Sequence, residues 1–470
     1  MKKTEYTYRF LARFVIEAVT PLAVKSGDNN MLTDSLVALD VNGLPYIPGT
    51  SIAGVIRHAI GEEKAKEFFG KHESEKADDR HGSNIIFTEC RMVGKDGTVV
   101  DGMVSDVLLN DDFYSHFRKL PIRQHVRINH RGVASDSGKF DEQVVFKGTR
   151  FCFELEMLSQ GKEGQGNFDS IIRILKDNAL RIGSSTRRGL GEIKIYSFQT
   201  AVLNLNEKSD LEAYLNKPSS LNDVDWSQWK QEDVTTISSY KEYRRYELRL
   251  KPDDFFLFGS GMGDDDADMI PVKETCIDME KTPPDFNTEL ILIPGASVKG
   301  ALAHRVAFYY NQLTEQYADD KTEKELDEIC GSNNLAVKEL FGYEGEKKEG
   351  KTVGQKVGNV IISDVILGRE GENKLLNHVA IDRFTGGTID GALFSEKVIY
   401  DPIDEGKGDY LINVLVRHQD YSVGVITSLE RALKDICCGM LPLGGGVNRG
   451  HGCFSGKLYQ DGKEIYDGTK

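Results

Sequence analysis

The sequence predicts an α+β protein made of two tandem ferredoxin-like domains, and three observations carry that expectation. Ile47–Gly54 (I-P-G-T-S-I-A-G) returns as Ile293–Gly300 (I-P-G-A-S-V-K-G), with five of eight positions identical, 246 residues later in a chain of 470. A repeat spanning half a chain reports a duplicated domain, not a solenoid period. Further landmarks recur around both copies in one order. Within each copy the order reads strand, loop, Ile-Pro-Gly turn, helix, strand, hairpin insertion, strand, helix, glycine loop, strand, which is a β-α-β-β-α-β pattern.

Each half opens with a strand of period 2, Thr7–Ala18 and then Tyr243–Leu250. A helix-like run follows each Ile-Pro-Gly turn, and then come the strands Ser83–Cys90 and Gly358–Val365. Next are His125–Gly132 (H-V-R-I-N-H-R-G) and His378–Gly386 (H-V-A-I-D-R-F-T-G), each followed by an alternating stretch, Lys139–Phe146 and Leu393–Ile399. Leu-Lys-Asp at Leu175–Asp177 and Leu433–Asp435 precedes two glycine loops, Gly183–Gly191 (G-S-S-T-R-R-G-L-G) and Gly444–Gly452 (G-G-G-V-N-R-G-H-G). The domains expected are 1–202 and 241–470, with 203–240 as a linker lacking clear periodicity.

Composition narrows the function. With 39% hydrophobic and 28% charged residues the chain reads as globular, and no apolar run reaches 18 residues, so no membrane partner is expected. The start, M-K-K-T-E-Y-T-Y-R-F, lacks a signal-peptide core. Seven scattered cysteines without Cys-x-x-Cys argue for a reducing, cytoplasmic setting and against structural zinc, and Cys437-Cys438 reads as two faces of a helix. A net charge of −15 allows nucleic acid only a narrow basic stripe. The acids gather in the linker, in Asp264–Asp268 and in Glu344–Glu349.

The repeated turn has a local mechanism. Pro48 and Pro294 fix φ, Gly49 and Gly295 are free to take positive φ, and Ser51 and Ser297 lie where they would cap the next helix. A capped turn explains one such motif. Its duplication together with His58 and His304 favours a phosphate site at the helix N-terminus, with Arg57 beside it. The glycine loops lack the Gly-Lys-Ser/Thr of a Walker A loop, yet each holds three glycines and an arginine in register, Arg188 and Arg449, with Arg187 added in the first. That pattern suits a nucleotide backbone better than a plain turn.

These motifs together resemble the RAMP superfamily of CRISPR-associated proteins. Within it, they are similar to the tandem, two-copy backbone subunit of type III (III-D-like) effector complexes, over nearly all of the chain except the linker. The resemblance implies two RRM-like domains, each with a β-hairpin thumb, around Val126–Phe146 and Val379–Ile399. It implies binding of crRNA and of target single-stranded RNA, with the large subunit and neighbouring backbone subunits as partners. It implies metal-dependent cleavage of guide-paired target RNA at two sites, one per domain. The cleaving residue in this family is an aspartate six residues before an acid that precedes the turn. Asp34 stands six before Asp40, and Asp268 six before Glu274. These two are the candidate catalytic residues and the candidate ligands of a transient Mg²⁺, with Asp264, Asp265 and Asp266 as competitors in the second half. The second loop is longer: 27 residues separate Asp268 from Gly295, against 15 from Asp34 to Gly49. Ala53 stands where the second copy has Lys299, and Asn448 where the first has Arg187. No histidine pair suited to metal-free RNA hydrolysis stands out. The rival readings are a purely structural guide-binding subunit and a crRNA-processing ribonuclease.

Overall fold

The computed structural model describes residues 6–31, 33–70, 82–105, 110–235, 242–319, 321–343, 345–348, 351–401 and 409–469. Residues 236–240 of the expected linker, and Glu344 and Glu349 of the acidic cluster, lie outside them.

The first half contains β1 (Tyr8–Ala18), α1 (Gly49–Ala59), α2 (Glu62–Phe69), β2 (Ile85–Phe87), β3 (Arg91–Met92) and the short α3 (Asp112–His116). Then come β4 (Ile122–Ile128), β5 (Ala134–Gln143), β6 (Arg150–Ser159), α4 (Gln165–Leu175) and β7 (Ile193–Asn204). The sheet order is β2-β6-β1-β7, with β3 also on β6. The first and third strands lie at the centre, as in a ferredoxin-like sheet. Alternation in β1 sends Phe10, Ala12, Phe14 and Ile16 to the helix-covered core, and Ile52 and Ile56 meet them from α1.

The segment after β7 is not bare linker. It forms α5 (Lys208–Leu215) and the two-residue β8 (Lys230–Gln231). Leu205, Tyr214, Trp226 and Trp229 pack on Leu11, Ala201 and Leu203, the face of the sheet turned away from the helices. Lys217 pairs with Glu154 at 2.6 Å, and the Tyr214 hydroxyl donates to Glu156 at 2.7 Å. This strap covers the outer face of the first sheet.

The second half repeats the plan. It runs β9 (Tyr243–Pro252), β10 (Lys273–Asp278), β11 (Asp285–Ile293), α6 (Gly295–Leu313), α7 (Glu323–Ile329) and α8 (Leu335–Phe341). Then follow β12 (Val360–Ile362), β13 (Val365–Ile366), β14 (Glu372–Ile381), β15 (Thr388–Tyr400), β16 (Tyr410–Arg417), α9 (Val425–Cys437), β17 (Phe454–Gln460) and β18 (Lys463–Asp467), leaving out short strand pairs between α8 and β12. The sheet order β12-β16-β9-β17-β18 is the same arrangement, with β18 on the edge that β8 takes beside β7 in the first sheet. On α9, Val425, Leu429, Ala432, Leu433 and Ile436 are fully buried at helical spacing. Cys437 ends α9 inside the core and Cys438 follows it half-exposed.

The longer loop of the second half has a physical explanation. Its extra residues form the β10–β11 hairpin, which reaches back onto the first half. Ile277 joins the first core, and its N–H donates to the Lys147 carbonyl at 2.8 Å. Phe286 stacks on His116 with ring centroids 3.9 Å apart and touches Phe113, Phe117 and Phe146. Beside the hairpin, Arg123 of β4 is buried against Glu274 and Asp364, its Nη1 3.1 Å from Asp364 Oδ2. The two halves are therefore joined by an apolar latch and a buried ion cluster.

Candidate RNA interface and cleavage sites

Two hairpins, β4–β5 and β14–β15, stand apart from the main sheets as the expected thumbs. At the base of each, the chain builds the same constellation. In the first half it centres on Glu142, which has no exposed surface. His125 Nε2 lies 3.1 Å from Glu142 Oε1, Ser185 Oγ donates at 2.7 Å, and Lys25 Nζ lies at 3.3 Å. Burial pushes the Glu142 carboxyl up, but hydrogen bonds from His125 and Ser185 and the charge of Lys25 outweigh it and hold the group at about 2. His125 stacks on Phe140, and Arg188 of the glycine loop lies over the same ring at 5.2 Å.

In the second half, Glu396 takes the place of Glu142. It is equally buried, and His378 and Arg449 contact it at 2.8 and 2.6 Å. Here too burial raises the carboxyl, and Arg449 and His378 reverse the shift to a net lowering. His378 stacks on Phe394, and Arg449 lies over that ring at 5.3 Å. His451 Nε2 sits 3.2 Å from the same carboxylate. Two histidines thus meet on one carboxylate, a pair that sequence spacing did not bring out, although His451 is buried.

Each candidate aspartate lies one residue from this hub. Asp34 Oδ2 accepts the Asp141 N–H at 3.0 Å, and the Asp34 N–H donates to Asp141 Oδ1 at 2.8 Å. Asp268 Oδ2 accepts the Ser395 N–H at 2.8 Å, and the Asp268 N–H donates to Ser395 Oγ at 3.2 Å. The Ser395 backbone and hydroxyl lower the Asp268 carboxyl. Both aspartates are exposed. Their shared relation to the thumb base is the structural counterpart of their matched spacing. The acids six residues on are not equivalent. The Asp40 carboxylate closes a turn onto the Asn42 and Leu44 N–H groups, each at 2.9 Å, while Glu274 belongs to the buried cluster with Arg123. In the acidic run, Asp264 and Asp266 are tied to Lys397 at 2.6 and 2.8 Å.

The Ile-Pro-Gly turns depart from expectation in two ways. Pro48 and Pro294 are the N-caps, and neither helix has a side-chain cap. The Ser51 and Ser297 N–H groups donate to the Pro48 and Pro294 carbonyls at 2.8 and 3.0 Å, so the serines sit inside the first turn. Nor do Gly49 and Gly295 take positive φ. They are needed for close approach: a Cβ would stand 2.7 Å from the Phe87 carbonyl oxygen at Gly49 and 2.7 Å from that of Ile362 at Gly295. Positive φ belongs to the loops, at Gly183, Gly189 and Gly191 and at Gly444, Gly450 and Gly452. Arg57 and His58 are exposed on the last turn of α1, and His304 is half-buried on α6.

The first glycine loop meets the second Ile-Pro-Gly turn. The Asp364 N–H donates to the Gly189 carbonyl at 3.1 Å, and Asp364 Oδ1 accepts the Gly295 N–H at 2.8 Å. Lys299, one turn into α6, is thereby brought towards Arg187 and Arg188. Burial, and then those two arginines, lower its ammonium to about 8.

A duplicated ferredoxin-like sheet with a thumb, a glycine loop and an Ile-Pro-Gly helix in each copy defines a two-domain protein of one architectural class. Residues 15–194 and 280–455 match the RAMP superfamily. The chain belongs to that superfamily and carries two copies of its domain. No curated protein sequence matches it. Among solved structures it is similar to a chain in the cryo-EM structure of the type III-B Cmr-beta bound to cognate target RNA. Identity there is 18% with a TM-score of 0.29, covering 41% of this chain and 60% of the other. Among the described residues no helix is long and apolar enough to cross a membrane.

Proposed function

We propose that this protein is a crRNA-binding backbone subunit of a type III CRISPR effector complex and cleaves guide-paired target RNA at two places, one per half. Membership of the RAMP superfamily supports the first part. One observation carries the second: Asp34 and Asp268 make the same backbone contact at the base of their own thumbs.

The chemistry asks little of the protein. The 2′-hydroxyl of an unstacked nucleotide gives up its proton and attacks the adjacent phosphorus, the 5′-oxygen leaves and takes a proton from solvent, and a 2′,3′-cyclic phosphate and a 5′-hydroxyl remain. The thumb holds the nucleotide out of the duplex, and the aspartate accepts the 2′-hydroxyl proton. The buried glutamate, held by a thumb histidine and by a glycine-loop side chain (Ser185 in the first half, Arg449 in the second), fixes the thumb base against the glycine loop, so the aspartate and the unstacked nucleotide keep their relative placement. Mg²⁺ usually takes one or two carboxylates with several waters. Asp34 with Asp141 fits that demand and would place charge neutralisation beside the phosphate. The second half offers Ser395 where Asp141 stands, and Lys397 already neutralises Asp264 and Asp266. Among the described residues there is no larger ligand cluster. That difference favours a structural role for the second half as the second reading.

The test is to map cuts in guide-matched RNA with the assembled complex and magnesium. Asp34→Ala is expected to remove one cut and Asp268→Ala the other, each by about a hundredfold or more in rate, with guide binding intact. Normal cutting by Asp34→Ala at every position would make the first half structural. Normal cutting by Asp268→Ala alone would assign the second half to structure.

A further inference from the structure

We infer that Arg187 and Arg188 from the first half and Lys299 from the second form one composite site for a single phosphodiester, built across the seam between the halves. The inference rests on the RNA-binding reading and adds where the backbone is gripped.

The geometry begins with two glycines. A Cβ on Gly295 would lie 2.9 Å from the Gly189 Cα, so the loop carrying Arg187 and Arg188 is pressed onto the first turn of the helix carrying Lys299. Three cations then meet at the seam, and none of them pairs with the carboxylate there, Asp364, among the described residues. Arg188 donates to Ser185 Oγ at 3.0 Å and lies over Phe140. Lys299 Nζ lies 3.4 Å from the Phe341 carbonyl and 6.0 Å from the centroid of the Phe341 ring. Neither these two nor Arg187 has an ion pair among the described residues. Asp364, the carboxylate at this seam, is already engaged by the Gly295 N–H and Arg123. Burial first, and then the two neighbouring arginines, lower the Lys299 ammonium. An anion supplied from outside would relieve that repulsion, and a phosphodiester oxygen has the right charge and reach.

The internal repeat supplies the contrast. The second glycine loop has Asn448 for Arg187, and its Arg449 is neutralised by Glu396 at 2.6 Å. The first Ile-Pro-Gly helix has Ala53 for Lys299, and the atoms nearest a Cβ on Gly49 all belong to its own half. Both missing charges therefore fall on the two faces that the seam leaves unpaired. The seam itself keeps every cation.

The experiment uses the full chain and a labelled single-stranded RNA, with affinity measured over a salt series. Each of Arg187→Ala and Lys299→Met is expected to lower the log–log salt slope by about one phosphate, roughly 0.7. The double variant is expected to lower it no further, because both side chains serve one phosphate. Lys299→Arg is expected to restore the slope. Ala53→Lys in a lone chain is expected to add nothing, since no glycine loop faces it. Additive loss of about two phosphates in the double variant, a gain from Ala53→Lys, or unchanged slopes in the single variants would each overturn the composite site. Absence of RNA binding by the unaltered chain would instead overturn the RNA-binding reading. Thermal unfolding of each variant, expected to match the unaltered chain, separates binding loss from misfolding.

Discussion

Gly189 and Gly295 touch across the junction of the two halves, and neither position has room for a methyl group. A Cβ on Gly189 would enter the Asp364 carboxylate, and one on Gly295 would meet Ile362 and Gly189 backbone. The seam is thus held by main chain at van der Waals contact, flanked by the Arg123 cluster and the β10–β11 latch.

Gly295→Ala is therefore expected to destabilise the protein by several kcal/mol, since rigid backbone on two sides must move. Gly54 and Gly300 are helical and have open space around a Cβ. Their alanine variants are expected to gain about 0.5–1 kcal/mol from helix propensity. Urea unfolding checks all three, and equal stability of Gly295→Ala and Gly300→Ala would contradict the close packing.

Breaking the chain within 236–240 and co-expressing the pieces is expected to give a pair that purifies together through the latch and the ion cluster. Phe286→Ala removes an aromatic ring from the cluster around His116 and is expected to weaken that pairing by about 2–3 kcal/mol, the ring being only partly buried. Arg123→Ala leaves Glu274 and Asp364 buried without their cation and is expected to cost about 3–5 kcal/mol. Analytical ultracentrifugation of the split pair reads both, and undiminished association of either variant would remove it from the junction.

Glu142 gives a pH dependence of known sign. Its folded carboxyl lies at about 2 against a reference of 4.5. A lowered pKa contributes stability that is present above about pH 4.5 and lost as pH falls towards 2, on the order of 3 kcal/mol in all. Glu142→Gln is expected to be less stable than the unaltered protein by about that much at pH 7, with the gap closing in acid. A gap that stays constant from pH 7 to pH 3 would show that the carboxylate charge is not what holds the thumb base.

Trp226→Ala combined with Trp229→Ala is expected to release the strap and cost about 2–4 kcal/mol, since the T-shaped pair helps cover Leu11, Ala201 and Leu203. Limited proteolysis within 205–231 should accelerate accordingly, and unchanged protection would mean the tryptophans do not hold it.

The duplication and the order of elements were legible because glycines, prolines and alternating runs mark them locally. The hub was only half legible. His125 and His378 head repeated segments, but Glu142 and Glu396 read as ordinary charges in an alternating strand, and glutamate is seldom fully buried. Their burial depends on serines, arginines and a lysine distant in sequence. The latch was visible only as surplus length, because nothing within Lys273–Ile293 says that its surface belongs to the other half. The role of Gly49 and Gly295 was misassigned for a similar reason: close approach depends on a strand more than thirty residues away.

The strap has a consequence of its own. Four-stranded sheets of this kind often present their open face as a platform on which exposed bases stack. In the first half that platform is already occupied by Tyr214, Trp226 and Trp229, side chains of the type that would otherwise compete with a base for it. A nucleic acid meeting this half is left with the thumb and the glycine loop, where the chain offers charge and backbone in place of a flat apolar floor. Under the RNA-binding reading proposed above, a grip by charge and backbone would be indifferent to base identity.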